Sequence, residues 1–554
     1  MEKVWLKSYP PGVPETIDLN AYQSVAEVFE QAVSKYSNSP AFSNLGTTLS
    51  YREMGQLTDQ LASYLQRLPN MRKGDRVAIM MPNVLQNPIA IFAVLRGGFT
   101  VVNTNPLYTT RELKHQLTDS GAKAIIVMEN FCSTLAEVID QTPVQHVITT
   151  QLGDMLQFPK SLLVNLVVKY VKKMVPAFKL SHSVKFKTAL REGARLPYNP
   201  VFTTHGDIAF LQYTGGTTGI AKGAMLTNRN MIANMQQASA WIGSMVEERK
   251  EIIITALPLY HIFSLTANCL TFMKVGALNY LITNPRDMPN FVKELKSVPF
   301  TAITGVNTLF NGLLNTPGFD AIDFSHLKLT LGGGMAVQKP VAERWKKITG
   351  QPLLEAYGLT ETSPAVCINP LNLPEFNGSI GLPVPSTEVS IQDENGKILP
   401  QGESGELCIR GPQVMKGYWQ RDDETAKAIT PDGWFKSGDV AKMDSSGFFR
   451  IVDRLKDMIL VSGFNVFPTE VESVIAELDG VLEVGVIGEP DSKSGEIVKA
   501  VIVRKDPLLS EAMIIAHCKK NLTSYKVPKQ IEFRAELPKT NVGKILRREL
   551  RKSK

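Results

Sequence analysis

Residues 213–226 read YTGGTTGIAKGAML. Glycines here (Gly215, Gly216, Gly219) would let a backbone approach a phosphate closely, and hydroxyls and amides would donate to its oxygens. The order is unusual. Thr214, Thr217 and Thr218 come before Lys222, which is flanked by Ala221 and Gly223. In the common phosphate loop the lysine is followed at once by Ser or Thr. An apolar run, IAFLQ, leads into the stretch, and a helical run, NRNMIANMQQASAWI, follows it. That setting favours a phosphate site over a plain glycine turn.

Four further stretches carry chemistry-bearing residues. LGGGMAV (331–337) offers Gly332, Gly333 and Gly334 as a flat backbone platform, and EAYGLTETSP (355–364) adds Tyr357, Gly358, Thr360 and Glu361. An aromatic ring can stack on a base, and a carboxylate oxygen suits Mg²⁺, which binds through one or two carboxylates plus phosphates. A turn with an N-capping Thr360 and a surface glutamate is the plain alternative. In GWFKSGDVA (433–441), Asp439 could accept bonds from a ribose diol, and Arg454 in DRLKD (453–457) could meet the same sugar. In PKTNVGKILRREL (538–550), Lys544 stands between a glycine and an apolar residue before a basic helix. Taken alone, each of these last three is also an ordinary turn or a solvated tail.

These residues need a scaffold. RVAIMMP, KAIIVM, HVITT, IAFLQYT, EIIITALPL, LNYLIT, FTAITG and LKLTLG are short apolar strands that alternate with helical patterns. This argues for α/β architecture with parallel, doubly wound sheets, in which ligands sit at the carboxyl ends of strands. After about residue 380 the texture becomes Gly/Pro-rich with short alternating runs, a small antiparallel, barrel-like β unit. The last hundred residues read as a small α+β domain, with charged DRLKD as a hinge between two apolar strands.

Composition narrows the class. With 554 residues there is room for several α/β cores. Five scattered cysteines (Cys132, Cys269, Cys367, Cys408, Cys518) form no CxxC pair and read as free thiols in a reducing compartment. The first residues lack the apolar core of a secretion signal, and no apolar stretch reaches 18 residues, so the cytoplasm is the default expectation. The net charge of +7 is uneven: 516–554 holds twelve Lys/Arg against three Asp/Glu, and 155–191 holds eight against none. Basic clusters suggest phosphorylated ligands, nucleic acid or anionic lipid, against the plainer reading of solvated surfaces.

Together and in this order, the five stretches resemble the ATP-dependent adenylate-forming (acyl-activating) superfamily over nearly the whole chain. They are most similar to bacterial long-chain fatty-acid–CoA ligases. LPLYHIFSLTANCL, TNPRDMPNFVKEL, ITGVNTLFNGLLN and LVSGFNVFPTEVE extend the likeness. The resemblance implies two steps: carboxylate and ATP give acyl-adenylate and pyrophosphate, then coenzyme A takes the acyl group and AMP leaves. It implies an N-terminal domain over 1–453 and a mobile C-terminal domain over 454–554, hinged near Lys456. Lys544 would be catalytic, with Glu361 and Thr214. Tyr213 and the loop from Thr214 to Lys222 would hold the leaving pyrophosphate, and Glu361 with Thr218 would bind Mg²⁺. Gly332–Gly334, Tyr357, Gly358 and Thr360 would frame the adenine, Asp439 and Arg454 the ribose. Gly463 would face the pantetheine channel. His261, Gly305, Val306 and Asn307 would line the acyl cavity, His261 being alternatively a satisfied buried histidine. Ligation of an aryl acid, loading of a carrier protein, a luciferase-type oxygenase and a non-catalytic fatty-acid trap are the competing readings. Nucleic acid is not an expected partner; a homodimer is compatible with the reading.

One segment stands apart. In FPKSLLVNLVVKYVKKMVPAF (158–178), helical spacing puts Ser161, Asn165, Lys169, Lys172 and Lys173 on one face, with Leu, Val, Tyr and Met elsewhere. A basic amphipathic helix can lie in a bilayer interface. The expectation is peripheral contact with an anionic membrane on its cytoplasmic face, against a helix that only covers the domain.

Overall fold

A computed structural model describes residues 2–214, 221–491 and 493–552. Two large sheets form the first part of the chain. The seven-stranded sheet runs, in spatial order, Ser183–Lys185, His146–Thr150, Ala124–Met128, Arg76–Met80, Thr100–Asn103, Ile208–Thr214 and Lys222–Thr227. All its pairings are parallel except the last, which is antiparallel. The strands read as continuous apolar runs because both faces are covered; Ala124–Met128 is buried at every residue. The nine-stranded sheet has a parallel centre in which Ile252–Thr255, Ala302–Gly305, Leu329–Gly332 and Leu354–Gly358 lie side by side.

Local signals place the flanking helices. Ser50 and Glu53 form a reciprocal capping box that starts Tyr51–Gln66. Thr227 and Asn230 do the same for Asn228–Ile242. One difference from the sequence reading concerns AKGAMLT. The loop named from Thr214 to Lys222 is closed by strand at both ends: Lys222–Thr227 is an edge strand, with Thr214 opposite Lys222. Gly215, Gly216, Thr217, Thr218 and Gly219 lie outside the described residues.

The small β unit is a four-stranded antiparallel meander, Glu388–Gln392, Gly405–Arg410, Phe435–Met443 and Phe449–Arg454. Val389, Leu407, Phe435 and Phe449 pack into the same core as the large sheets. The C-terminal unit has its own core, including Ile459, Val471, Val486, Ala500 and Ile514, around a five-stranded sheet. All five cysteines are buried and free.

Candidate active site

Strand order brings the glycine platform and the proposed acyl wall together. Gly305 pairs with Gly332, and Gly332 with Glu355, so Gly305–Asn307, Gly332–Gly334 and Tyr357–Gly358 sit at the carboxyl ends of adjacent strands. The Gly333 amide donates to the Gly305 carbonyl at 3.0 Å. A Cβ on Gly333 would lie 2.9 Å from the Phe263 ring, and one on Gly358 would lie 2.1 Å from the Pro364 carbonyl. No side chain fits at either position, so this backbone can offer only bare surface. Thr360 opens a single 3-10 turn to which Glu361 belongs.

A polar cluster stands over that platform. The Tyr357 hydroxyl donates to Asp439 Oδ2 at 2.5 Å, while Arg454 Nε holds Asp439 Oδ1 at 2.9 Å. Asp439 and Arg454 are direct cross-strand partners, which explains why two motifs fifteen residues apart share one site. Lys456 follows at once, its ammonium pushed down by burial and by Arg454.

A second cluster lies at the mouth of the hairpin. Lys222 pairs with Glu424 and stands over the Tyr418 ring at 4.8 Å. The Tyr418 hydroxyl donates to Glu361 Oε1 at 2.8 Å. Burial raises the Glu361 carboxyl above its ordinary value, and the Tyr418 bond opposes that shift. A buried carboxylate that feels the charge of Lys222 has the chemistry to hold a divalent cation whose other ligands are phosphates. Among the described residues no group of three or more metal-ligating side chains occurs. Tyr418 and Glu424 carry no local signature and were not foreseen.

Lys544 reaches this site from the C-terminal unit. Burial, then the charge of Arg454, push its ammonium down to about 8. Burial, then the charge of Lys544, push His261 down to about 4, so its imidazole is neutral. Each group thus feels the arrangement that brings residue 544 to residues 261 and 454. The turn before the lysine is tied on both sides. The Lys544 amide donates to Thr540 Oγ1 at 3.0 Å, and Thr308 Oγ1 donates to the Gly543 carbonyl at 2.9 Å.

Three expectations need correction. The Tyr213 hydroxyl is engaged within the protein: it donates to Asp119 Oδ2 at 2.7 Å, where Arg421 holds the other oxygen. Successive strand residues face opposite ways, so Tyr213 and Thr214 cannot both serve one site with their side chains. The Asn307 amide is spent on Gln338, donating at 3.1 Å and accepting from its backbone at 2.9 Å. In the segment 158–178 the helix ends at Val171, so Lys172 and Lys173 lie beyond the face on which spacing puts them, and Ser161 and Asn165 are partly buried against the protein. Asn165 accepts from the Gly153 amide at 2.7 Å, while Leu162, Leu163, Leu166, Tyr170 and Val171 face outward. Val306 packs beneath Gly334 and Gly543 as an apolar wall. Gly463 has φ +84° and open space around its α-carbon.

Two segments match known families. Residues 29–419 match AMP-binding enzyme, and residues 470–544 match the AMP-binding enzyme C-terminal domain. The chain belongs to the AMP-binding enzyme family. It is 56% identical over 551 residues to a long-chain-fatty-acid–CoA ligase of Escherichia coli O6:H1, covering 100% of this chain and 98% of that one. It is 38% identical over 554 residues to a ligase of the same name from Bacillus subtilis, covering 99% and 98%. ATP-bound MatB from Rhodopseudomonas palustris has a similar structure, with a TM-score of 0.77 at 26% identity, covering 95% of this chain and 98% of that one. The fold is likewise similar to that of the anthranilate CoA ligase AuaEII, with a TM-score of 0.84 over 96% of this chain and 97% of that one. For this AMP-binding enzyme, the two matched regions leave 420–469 between them, and DRLKD (453–457) lies in that interval.

Proposed function

We propose that this AMP-binding enzyme is a long-chain-fatty-acid–CoA ligase acting in two steps. A fatty carboxylate oxygen attacks the α-phosphorus of ATP; the α–β phosphoanhydride bond breaks and pyrophosphate leaves. The coenzyme A sulfur then attacks the acyl carbon, and AMP departs. The observation that carries this reading is the desolvated ammonium of Lys544 beside the Arg454–Asp439–Tyr357 cluster. Two anions must meet there, and a fixed positive charge in a dry site offsets their repulsion as they do. Near-full-length likeness to ligases of that name supports the long-chain substrate.

The remaining roles follow from position. Lys222 and the Gly/Thr residues that precede it in sequence would grip the departing pyrophosphate, with Thr214 at the strand end. Glu361 would hold Mg²⁺, which supplies charge neutralisation at the phosphates when bound. Tyr357 and the glycine platform would frame adenine; Asp439 and Arg454 would hold ribose. His261, Gly305 and Val306 would line the acyl cavity. For the second step the C-terminal unit, from 454 onward, would rotate about Lys456, withdraw Lys544 and bring Gly463 to the pantetheine channel. Its excess of basic residues would favour the phosphates of coenzyme A. The deciding assay is AMP release dependent on ATP, Mg²⁺ and coenzyme A, scanned over fatty acids of increasing length and an aryl acid. Release with the aryl acid alone would overturn the reading.

Peripheral membrane contact is part of the same proposal. Among the described residues no helix is long and apolar enough to cross a membrane. Yet Phe158 is 84% exposed and Val171 73%, at the two ends of a helical segment that carries exposed Lys169, with exposed Lys172 and Lys173 just beyond it. An outward apolar strip rimmed by lysines suits the cytoplasmic face of a bilayer that holds the substrate. Leu163→Ser/Val171→Ser and Lys169/Lys172/Lys173→Glu variants should both float less with anionic liposomes than wild type. Equal recovery would discard the idea, and pairing of wild type but not the Ser variant in sedimentation would assign the strip to a homodimer.

A further inference from the structure

The helix Asn307–Leu314 starts at the residues assigned to the acyl wall, and its next turn faces the C-terminal unit. Thr308 Oγ1 donates to the Gly543 carbonyl at 2.9 Å, and one turn on, Asn311 Nδ2 donates to the Leu482 carbonyl at 2.9 Å. Residues three apart share a helix face, so one face holds two separate main-chain segments of the C-terminal unit. The fit at Gly543 is tight. A Cβ there would sit 2.6 Å from Thr308 Oγ1 and 3.2 Å from Val306 Cγ2, and its φ is +88°. The next residue is Lys544, whose own amide and carbonyl are closed into a turn on Thr540, at 3.0 and 2.7 Å. With that turn rigid, the height of Gly543 above Thr308 sets the height of the ammonium above the site.

The geometry points to Thr308 as a positioning residue for adenylation: it fixes the Lys544 turn on the acyl wall, and the bond breaks when the C-terminal unit rotates. This rests on the two-step reading above and deepens it. Thr308 touches no reacting atom. Its effect is confined to the step in which Lys544 is docked, because the second step requires that contact to be gone. The acyl wall and the docking face are one continuous segment, 305–311, so a badly seated chain would disturb the lysine that acts on it.

The test separates the half-reactions with the full-length enzyme. Thr308→Val keeps the volume and removes the donor. Loss of one hydrogen bond of this kind should lower the rate of acyl-adenylate formation by roughly five- to tenfold. KM for ATP and thioester formation from supplied acyl-adenylate and coenzyme A should each stay within about twofold. Thr308→Ser should recover most of the adenylation rate, and the intact second step reports that the protein is folded. Lys544→Ala is run alongside. Unchanged adenylation in Thr308→Val with loss in Lys544→Ala overturns this proposal alone. Equal loss of both half-reactions in Thr308→Val also overturns it. Adenylation surviving in Lys544→Ala overturns the functional reading beneath it.

Discussion

The lowered pKa of Lys544 makes adenylation sensitive to alkali in a way that can be worked out beforehand. An exposed lysine stays charged to 10.5, whereas this one loses its proton at about 8. With that value the free enzyme is roughly 90% charged at pH 7 and roughly 10% at pH 9, so kcat/KM for pyrophosphate release should fall about tenfold for each pH unit above 8. Bound substrates change the sign of the surroundings: a carboxylate and an α-phosphate favour the ammonium and raise its pKa. The same limb in kcat should therefore lie at higher pH than in kcat/KM. The shift also acts on docking. Between about 8 and 10.5 the docked form binds fewer protons than the undocked form, so docking strengthens as pH rises through that window, by at most ~3 kcal/mol. Lys544→Arg carries a charge that does not titrate in this range; its profile should be flat though the rate is lower. A wild-type kcat/KM constant from pH 7 to 9.5 would refute the reasoning. An alkaline limb retained in Lys544→Arg would refute it equally.

Two more outcomes follow. Tyr357→Phe leaves Asp439 Oδ2 without its 2.5 Å donor in a buried site, and bonds to charged groups are worth about 1.5–3 kcal/mol. KM for ATP should rise at least tenfold while KM for fatty acid moves less than twofold; steady-state kinetics with each substrate varied checks this. Arg547 bonds Asp453 at 3.2 Å, Asp457 at 3.3 Å and Glu472 at 2.7 Å, all largely buried. Arg547→Met should destabilise the C-terminal unit by about 3–5 kcal/mol, the usual loss when buried acids are left without their cation. Urea unfolding followed in that unit reads it, and a change below about 1 kcal/mol would show the network to be dispensable.

Much of the site was legible one motif at a time. Glycine at 333 and 358 announces backbone that must be bare, and the apolar runs 124–128 and 208–214 announce strands buried on both faces. The capping pairs Ser50/Glu53 and Thr227/Asn230 are likewise local. Other features escaped. The strand Lys222–Thr227 was not among those read from the sequence, because its glycine and lysine disguise an edge strand. The 158–178 helix stops at Val171, short of Lys172 and Lys173, and periodicity defines two faces, of which only the docking of Asn165 on Gly153 says which one is inside.

What the sequence alone determined are the elements and the inventory of reactive groups: φ/ψ preference, side-chain period and residue type act within a few neighbours. What only the tertiary structure decided is who meets whom. Glu361 finds Tyr418 across 57 residues, Tyr357 finds Asp439 across 82, Lys222 finds Glu424 across 202, and Thr308 finds Gly543 across 235. Those meetings depend on strand order, on register and on how the C-terminal unit docks, none of which is carried by spacing along the chain. The shifted pKa of Lys544 belongs to the same class, because desolvation exists only once the second unit closes over the first.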